Sequence, residues 1–262
     1  MESQPAQKNA NDMVHIDAIR KLERHREVWS KNLVLRTAYN SYYQRIINWL
    51  PQNASTVLEL GGGIGNFKET FPQVITTDIV RLPWVDVVMD AQCMPVVSGT
   101  IDAIVMVDVL HHIEAPVEFF QEALRCLRPG GRLLIVDMYI SFFSNIILKL
   151  LHPEPVNMNE DFWKKNKISG EEKDPWEANQ AMATKFFWKE LDTFEKRFPQ
   201  LQVKNRETFD WCWPSTGGFS YPAIFPASIR HWLPAINTWK IPNGLGAFRS
   251  FVVLERCTEK II

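Results

Sequence analysis

The stretch Thr56-Val-Leu-Glu-Leu-Gly-Gly-Gly-Ile-Gly-Asn-Phe67 decides how this chain folds. An apolar run, typical of a buried strand, breaks into a turn with alternate glycines at Gly61, Gly63 and Gly65. Without a Cβ, these residues let the backbone turn tightly and let a ligand approach the main chain. The residues after the turn can open a helix, whose free N–H groups and dipole face the same ligand. The stretch therefore predicts a site for a small-molecule cofactor.

Strands and helices alternate outward from this turn, and most of the predicted strands are continuous apolar runs. Such runs are typical of parallel strands that are covered on both faces. The predicted strands cover residues 56–60, 74–77, 85–89, 101–107, 131–138, 201–210 and 248–255. Helices are predicted at 67–71, after Val109, at 115–127 and at 181–198. This pattern predicts a doubly wound, Rossmann-like α/β fold, in which ligands bind beyond the carboxyl ends of the strands.

The sequence divides into an N-terminal helical segment and one larger domain. Residues 1–50 form the first part, with helical spacing of apolar residues over 14–50, and residues 51–262 form the second. The alternation breaks at 139–180 and 211–246, which are rich in Trp and Pro. Long irregular segments inside a domain are usually functional, so we expect cap insertions that face the substrate. The apolar run 142–151 within the first cap fits a lipid-facing helix, a dimer contact or plain core.

Acidic residues follow successive predicted strands. Asp78 ends the second strand, where a carboxylate can accept both hydrogen bonds of a ribose diol. Asp90 ends the third strand and precedes the small Ala91, an arrangement suited to the exocyclic amine of adenine. Together with the glycine turn, these acids indicate a nucleoside-containing cofactor.

Two cofactors of that kind compete for this site. A dinucleotide site requires G-x-G-x-x-G, but counting from Gly61 places Asn66 where the third glycine belongs. Glu59, two residues before the first glycine, would repel a pyrophosphate and attract the ammonium group of a methionine moiety. The charge therefore favours S-adenosyl-L-methionine over NAD.

The residues around the turn resemble a known family. Segment 59–65, Glu-Leu-Gly-Gly-Gly-Ile-Gly, is similar to the E/D-x-G-x-G-x-G motif of class I S-adenosylmethionine-dependent methyltransferases. Segments 109–113 and 127–133 resemble motifs of the type 11 small-molecule group. The resemblance spans roughly residues 50–138 and implies a seven-stranded sheet whose last strand is antiparallel. The cofactor-binding residues that it and the charge argument indicate are Glu59, Gly61, Gly62, Gly63, Gly65, Asp78, Ile79, Asp90, Ala91 and Asp108.

Methyl transfer to a hydroxyl requires removal of a proton, whereas an amine must only be neutral. His111 and His112 follow the fourth strand and are the candidate bases, although they fit a helix-capping and packing role equally well. Asp108 can hold a cofactor group, orient a histidine or act as a base. No metal site is expected, because His152-x-Glu154 is too short a fragment to define a ligand set.

Composition narrows the classes of partner. The chain has 262 residues with 29 basic and 30 acidic side chains, so its net charge of −1 does not favour nucleic acid. Four scattered cysteines and a polar N-terminus without a signal pattern favour the cytoplasm. No segment reaches the length needed to span a bilayer. We expect a monomer or homodimer.

The sequence therefore predicts a methyltransferase acting on a small, partly apolar acceptor, with a slight preference for O-methylation. An S-adenosylmethionine-binding module without catalytic activity is the first alternative. An NAD-dependent oxidoreductase is the second.

Overall fold

Seven strands form one sheet in the order β3-β2-β1-β4-β5-β7-β6. The computed structural model describes residues 4–152, 154–164, 176–224, 226–232 and 243–257. The strands are β1 (Val57–Leu60), β2 (Ile75–Asp78), β3 (Val87–Val88), β4 (Ile101–Val107), β5 (Leu127–Met138), β6 (Leu201–Phe209) and β7 (Arg249–Arg256). Strands β1 to β5 pair in parallel, and β7 is antiparallel to both β5 and β6. The predicted fold class, with an antiparallel last strand, is confirmed.

Helices cover both faces of this sheet. They are α1 (Gln4–Lys31), α2 (Leu33–Asn48), α3 (Asn66–Thr70), α4 (Pro116–Cys126), α5 (Phe142–Leu151), α6 (Met182–Thr184) and α7 (Leu191–Arg197), with a last short helix, α8 (Asn243–Gly246). Short 3₁₀ turns occur at Leu110–His112, Trp213–Thr216 and Ala227–Trp232. Within the part of the chain that the structure describes, no helix combines the length and the apolar character needed to cross a membrane.

Two hydrophobic clusters form the core, and β4 contributes to both. Ile104 and Met106 belong to one cluster, whereas Ala103 and Val105 belong to the other. Successive side chains of a strand point to opposite faces of a sheet, so the continuous apolar run of β4 is buried on both sides. The sheet is therefore sandwiched between helices, which leaves the carboxyl ends of its parallel strands as the place for a ligand.

The predicted N-terminal helix at 14–50 is corrected to two helices. Asn32 interrupts it, because its side-chain oxygen accepts a hydrogen bond from Leu35 N–H at 3.0 Å and caps α2. Its side-chain amide donates to Thr216 O at 2.8 Å. The break thus joins the helical segment to the second predicted cap.

The predicted helix at 181–198 is also interrupted. It consists of α6, a π-helical turn at Lys185–Lys189 and α7, with Glu190 between the last two. The Glu190 carboxylate accepts a hydrogen bond from Trp163 Nε1 at 2.6 Å and pairs with Lys185 Nζ at 3.2 Å. These tertiary contacts override the helical pattern of the sequence.

Strands β3 and β5 are the two whose ends differ from prediction by more than one residue, whereas the ends of β1, β2, β4, β6 and β7 agree to within one residue. Strand β3 is confined to Val87–Val88. Strand β5 begins at Leu127, where the sequence suggested a turn before residue 131, because Leu127 pairs with Ile101. The register then shifts between Ile101 and Ala103, and the Pro-Gly-Gly segment bulges from the ladder.

The predicted caps are described in part. Helix α5 lies in the first cap and exposes large apolar side chains, with Phe142 61% and Leu150 76% exposed. Residues 153, 165–175, 225 and 233–242 of these caps lie outside the described residues. The division into a helical segment, a main domain and two caps stays a prediction.

Candidate functional site

The glycine turn follows β1 directly and depends on glycine for two different reasons. Gly61 and Gly63 have φ of +62° and +49°, a left-handed conformation that costs other residues energy. Gly62 instead has no room for a side chain, because a Cβ there would lie 2.1 Å from Thr76 Cγ2. The turn is therefore packed against β2 and keeps its main chain open to the ligand side.

Glu59 is a buried acid beside this turn. Burial, together with the negative charge of Asp78, raises the pKa of Glu59 to about 8, although the nearby Thr76 moderates the shift. Glu59 Oε2 lies close to the turn, because a Cβ on Gly62 would be 3.1 Å from it. A buried carboxyl beside the open main chain of the turn suits the ammonium group of a methionine moiety.

Asp78 ends β2 and faces the same turn. Its carboxylate accepts hydrogen bonds from Gly63 N–H and Val80 N–H, each at 2.9 Å. These two bonds fix the carboxylate at the strand end, next to the glycines. Such an oriented acid fits a ribose diol.

The next candidate residues lie beside Asp78. Ile79 is 55% exposed and offers an apolar surface on the cavity wall. Asp90 accepts hydrogen bonds from Gln92 N–H at 2.8 Å and from the Gln92 side-chain amide at 3.0 Å. Ala91 lines the cavity beside it. The fold thus brings the predicted ribose and adenine positions together.

One cavity of about 930 Å³ contains these positions. Its volume lies at the upper end of the range for small-molecule sites, so it has room for more than one ligand group. Its remaining lining includes the apolar side chains Ile147, Leu151, Trp213, Phe219, Tyr221 and Ile224. His111, His112 and Glu154 line it as well. Gly65 is absent from this lining and serves the turn through its φ of +76°.

Asp108 follows β4 and is engaged by other parts of the protein. It forms an ion pair with the buried Arg249 of β7 and accepts a hydrogen bond from the Tyr39 hydroxyl of α2 at 2.6 Å. Its own φ is +58°, an uncommon conformation for an aspartate. These contacts favour a role in holding the cavity wall over a role as a proton acceptor.

His111 lies between two carboxylates. Its Nδ1 is 2.7 Å from Asp137 Oδ1, and its Nε2 is 3.4 Å from Glu154 Oε2. Burial lowers the pKa of His111, but the charges and hydrogen bonds of Asp137 and Glu154 more than offset this and raise the pKa to about 10. Burial likewise opposes ionisation of Glu154, whereas His111 and its neighbours hold the Glu154 pKa at about 2.

His112 has the opposite electrostatic environment. Burial and the positive charge of His111 lower the pKa of His112 to about 3. Its Nδ1 is 3.4 Å from Glu177 O, and its ring meets Trp176 edge to face at 6.1 Å. The adjacent histidines therefore differ in charge at neutral pH.

Sequence reasoning missed several residues of this site. Asp137, Glu154, Arg249 and Tyr39 contact the predicted histidines or Asp108, yet none belongs to a local motif. Asp137 had a signal as an acid in the otherwise apolar end of β5, where it is fully buried, and Glu154 had a weak one in the fragment His152-x-Glu154. The others come from distant parts of the chain, so their role depends on the fold.

We compared the sequence and the fold of this chain with those of known proteins. A profile of the family described as "Methyltransferase domain" matches residues 33–208. A structure from Thermotoga maritima, a possible histamine N-methyltransferase, shares 17% identity and covers 91% of this chain and 99% of its own, with a TM-score of 0.52. A methyltransferase structure from Archaeoglobus fulgidus shares 15% identity and covers 84% of this chain and 94% of its own, with a TM-score of 0.51.

A curated mouse protein matches a shorter segment. The tRNA (carboxymethyluridine(34)-5-O)-methyltransferase ALKBH8 of Mus musculus is 35% identical over 103 residues, or 38% of this chain. This chain covers only 14% of the mouse protein's length. The likeness therefore concerns a part of that protein.

The fold and the glycine turn define a class I methyltransferase, with a cavity whose buried acid and oriented carboxylates fit S-adenosylmethionine. The chain belongs to the methyltransferase-domain family, whose profile matches most of its length. Its family is thus that of the S-adenosylmethionine-dependent methyltransferases, as predicted.

The bound cofactor supplies a sulfonium methyl group that is already activated for displacement. The protein binds the cofactor and the acceptor, aligns them with each other and excludes water from the site. Glu59 and the turn would hold the methionine end, and Asp78 the ribose. Trp213 stacks on Phe248 with ring centroids 5.9 Å apart, which fixes an apolar wall of the same cavity.

Proposed function

We propose that this methyltransferase transfers the methyl group to an oxygen atom of a small, partly apolar molecule. The observation that carries the proposal is that the cofactor positions and an extended apolar wall share one cavity. An acceptor bound against that wall is shielded from water while its polar end lies near the histidines. Shielding and alignment are the main requirements of this reaction.

The apolar wall is built from two segments that belong to the predicted caps. Ile147 and Leu151 come from α5, and Phe219 follows the 3₁₀ turn at Trp213–Thr216. Phe219 stacks on His25 of α1 with ring centroids 4.6 Å apart. The N-terminal helical segment therefore supports the wall, and we assign acceptor binding to all three segments.

The three candidate catalytic residues receive different roles. Asp108 is ion-paired with Arg249, and both ring nitrogens of His111 lie near carboxylates, so we assign positioning roles to these two residues. His112 remains as the group that accepts a hydrogen bond from the acceptor hydroxyl. Its low pKa keeps the imidazole neutral at physiological pH, as an acceptor of that bond must be.

The test is mass-spectrometric detection of methylated product. The purified protein is incubated with a metabolite extract and methyl-labelled cofactor, and we expect a low-molecular-weight product that is one methylene heavier. A Glu59→Gln variant serves as the control with weakened cofactor binding. Cofactor binding without any labelled product, across apolar alcohols, phenols and carboxylates, would contradict the proposal and favour a module without catalytic activity.

The same experiment also tests tRNA as a second class of acceptor. The name of the mouse relative supports oxygen as the accepting atom and tRNA as the molecule that carries it. Label that appears in total tRNA and not in the small-molecule fraction would replace the first proposal with this one. The net charge of −1 supports the small-molecule acceptor.

We also propose a cytoplasmic monomer or homodimer. Support comes from the four cysteines, which are all free thiols in the structure. Light scattering of the purified protein measures the oligomeric state.

A further inference from the structure

Three side chains from two distant segments meet on the cavity wall beyond the glycine turn. One ring nitrogen of His111, one of His112 and one carboxylate oxygen of Glu154 all lie within 4.8 Å of one another. His111 and His112 belong to the 3₁₀ turn after β4, and Glu154 lies after α5. All three line the cavity.

The protonation of His111 follows from its first partner. A carboxylate can only accept a hydrogen bond, so the 2.7 Å contact to Asp137 Oδ1 places a proton on Nδ1. Nε2 then faces Glu154 Oε2 at 3.4 Å, and in a neutral imidazole both atoms carry lone pairs. A proton on Nε2 makes this approach favourable, and a divalent cation bound between the two atoms would take the place of that proton.

The spacing of these atoms matches metal coordination. Histidine nitrogens and carboxylate oxygens bind Zn²⁺ at about 2.0–2.2 Å, so two ligands of a tetrahedral ion are about 3.4 Å apart. That is the distance between His111 Nε2 and Glu154 Oε2. The remaining distances, up to 4.8 Å, require only a small inward movement of the partly buried His112 or Glu154.

The surroundings already orient the ligand atoms. Asp137 is fully buried behind His111, as in the carboxylate–histidine–metal arrangement that fixes ring orientation and tautomer. The Gln180 side-chain amide donates a hydrogen bond to Glu154 Oε2. In addition, Asn179 N–H donates to His111 O at 2.9 Å, and Gln180 N–H donates to Pro155 O at 3.0 Å. The segments that carry the ligands are thus tied to one another.

Two histidines and one carboxylate are a ligand set of catalytic zinc sites, which leave a position open for water or substrate. We propose that His111, His112 and Glu154 bind one first-row divalent cation of the Zn²⁺ type. Its open position faces the cavity, and Asp137 is a positioning residue. The site goes beyond the proposed O-methylation, because its occupancy does not depend on which acceptor the enzyme methylates. A His112 nitrogen that binds the ion cannot also accept the hydrogen bond of the acceptor hydroxyl, so these two roles of His112 are alternatives.

The proposal also revises the expectation that no metal is bound. His152-x-Glu154 contained one of the ligands, but the two others lie about forty residues earlier in the chain. His152 is not required by the proposed set, although its Nδ1 is 3.9 Å from Glu154 Oε2. It contributes polar lining beside the ion.

The test is metal binding by the full chain without cofactor or acceptor. Chelator-treated protein is titrated with Zn²⁺ by calorimetry and with Co²⁺ by visible absorption. We expect about one ion per chain and a cobalt spectrum free of thiolate charge-transfer bands, because no cysteine is among the proposed ligands. The variants Glu154→Gln and His112→Asn should each weaken binding at least tenfold. Asp137→Asn should weaken it about 10- to 100-fold.

The matched control is His25→Asn, which removes another cavity histidine that lies outside the ligand set. This variant should bind Zn²⁺ as the unaltered chain does. Circular dichroism and S-adenosylmethionine binding report whether each variant is folded. Absence of stoichiometric binding, or equal affinity in Glu154→Gln, His112→Asn and His25→Asn, would overturn the metal site and leave the methyltransferase proposal unaffected.

Discussion

At the scale of the residue, the buried carboxyl of Glu59 should make cofactor binding depend on pH. Its pKa of about 8 means that the carboxyl is mostly protonated at neutral pH before the cofactor binds. A cationic ammonium stabilises the ionised form, so binding should release a proton from this residue. Cofactor affinity and pH are therefore linked through one side chain.

We predict that S-adenosylmethionine affinity rises with pH from about 5.5 to 7, by up to about tenfold per pH unit. In this range the ligand amine stays charged, because its ordinary pKa is about 7.7–8.0. Affinity is lowest where Glu59 is protonated and increases as the pH approaches its pKa from below. Calorimetry in buffers of different ionisation enthalpy measures both the affinity and the released proton.

The variant Glu59→Gln should bind the cofactor at least tenfold more weakly and lose most of this pH dependence. Glu195→Gln, an exposed change on α7, is the matched control and should behave as the unaltered chain. An unchanged pH slope in Glu59→Gln would show that another group controls binding.

The turn after β1 depends on a single close approach. Gly62 packs on Thr76 of β2, so its replacement by alanine forces two buried segments apart. We predict that Gly62→Ala lowers the free energy of unfolding by about 1–3 kcal/mol, the usual cost of overpacking. Urea denaturation measures this loss. Gly244→Ala is the control, because a Cβ at Gly244 meets nothing within 4 Å, and an equal loss there would argue against the packing explanation.

At the scale of the element, the junction between α1 and α2 joins the N-terminal helices to the acceptor wall. Asn32 caps α2 through its oxygen and binds Thr216 O through its amide. One side chain thus stabilises a helix end and holds the turn at Trp213–Thr216. The two contributions can be separated by substitution.

We predict that Asn32→Ala destabilises the protein by about 1–2 kcal/mol, because both contacts are lost. Asn32→Asp keeps the capping oxygen but removes the donor to Thr216 O. The aspartate variant should therefore keep the N-terminal cap of α2 but make the cavity wall at residues 213–219 more mobile. Thermal denaturation measures stability, and hydrogen exchange at residues 213–219 measures the wall. Equal exchange in the aspartate variant and the unaltered chain would contradict the second role.

At the scale of the whole molecule, one buried ion pair connects three elements. Arg249 of β7 pairs with Asp108 at the end of β4, and Tyr39 of α2 donates to the same carboxylate. Tyr42 of α2 binds Asp210 after β6 in the same manner. The N-terminal segment is therefore fixed to both halves of the sheet through polar contacts that the cavity adjoins.

We predict that Arg249→Met lowers the free energy of unfolding by about 3–5 kcal/mol, since Asp108 loses its cation in a mostly buried position. The double variant Arg249→Met with Asp108→Asn should recover part of this loss, because no unpaired charge remains. Urea denaturation of both singles and the double gives the coupling energy. Simple additivity of the two changes would argue against a direct pair.

The sequence predicted the parallel strands and the cofactor end of the cavity well, because both rest on local patterns. Continuous apolar runs identified β1, β2 and β4, and the glycine turn identified the ligand end. The interruptions at Asn32 and Glu190 were missed because each involves a contact with a distant part of the chain. The Asn32 amide donates to Thr216 O, and Trp163 Nε1 donates to the Glu190 carboxylate. The bulge in β5 was missed for a similar reason, because it depends on the pairing of Leu127 with Ile101 in β4.

What the sequence by itself determined is the class: a strand, a glycine turn with Glu59 before it, and the acids Asp78 and Asp90 after the next two strands together resemble an S-adenosylmethionine-dependent methyltransferase. Each of these features is local, because it sits at the end of one strand where spacing alone sets the geometry. Only the tertiary structure decided that Arg249 holds Asp108 and that Asp137 and Glu154 flank His111. Those partners are far apart in the chain, and electrostatic interactions act over ångströms of space irrespective of sequence separation.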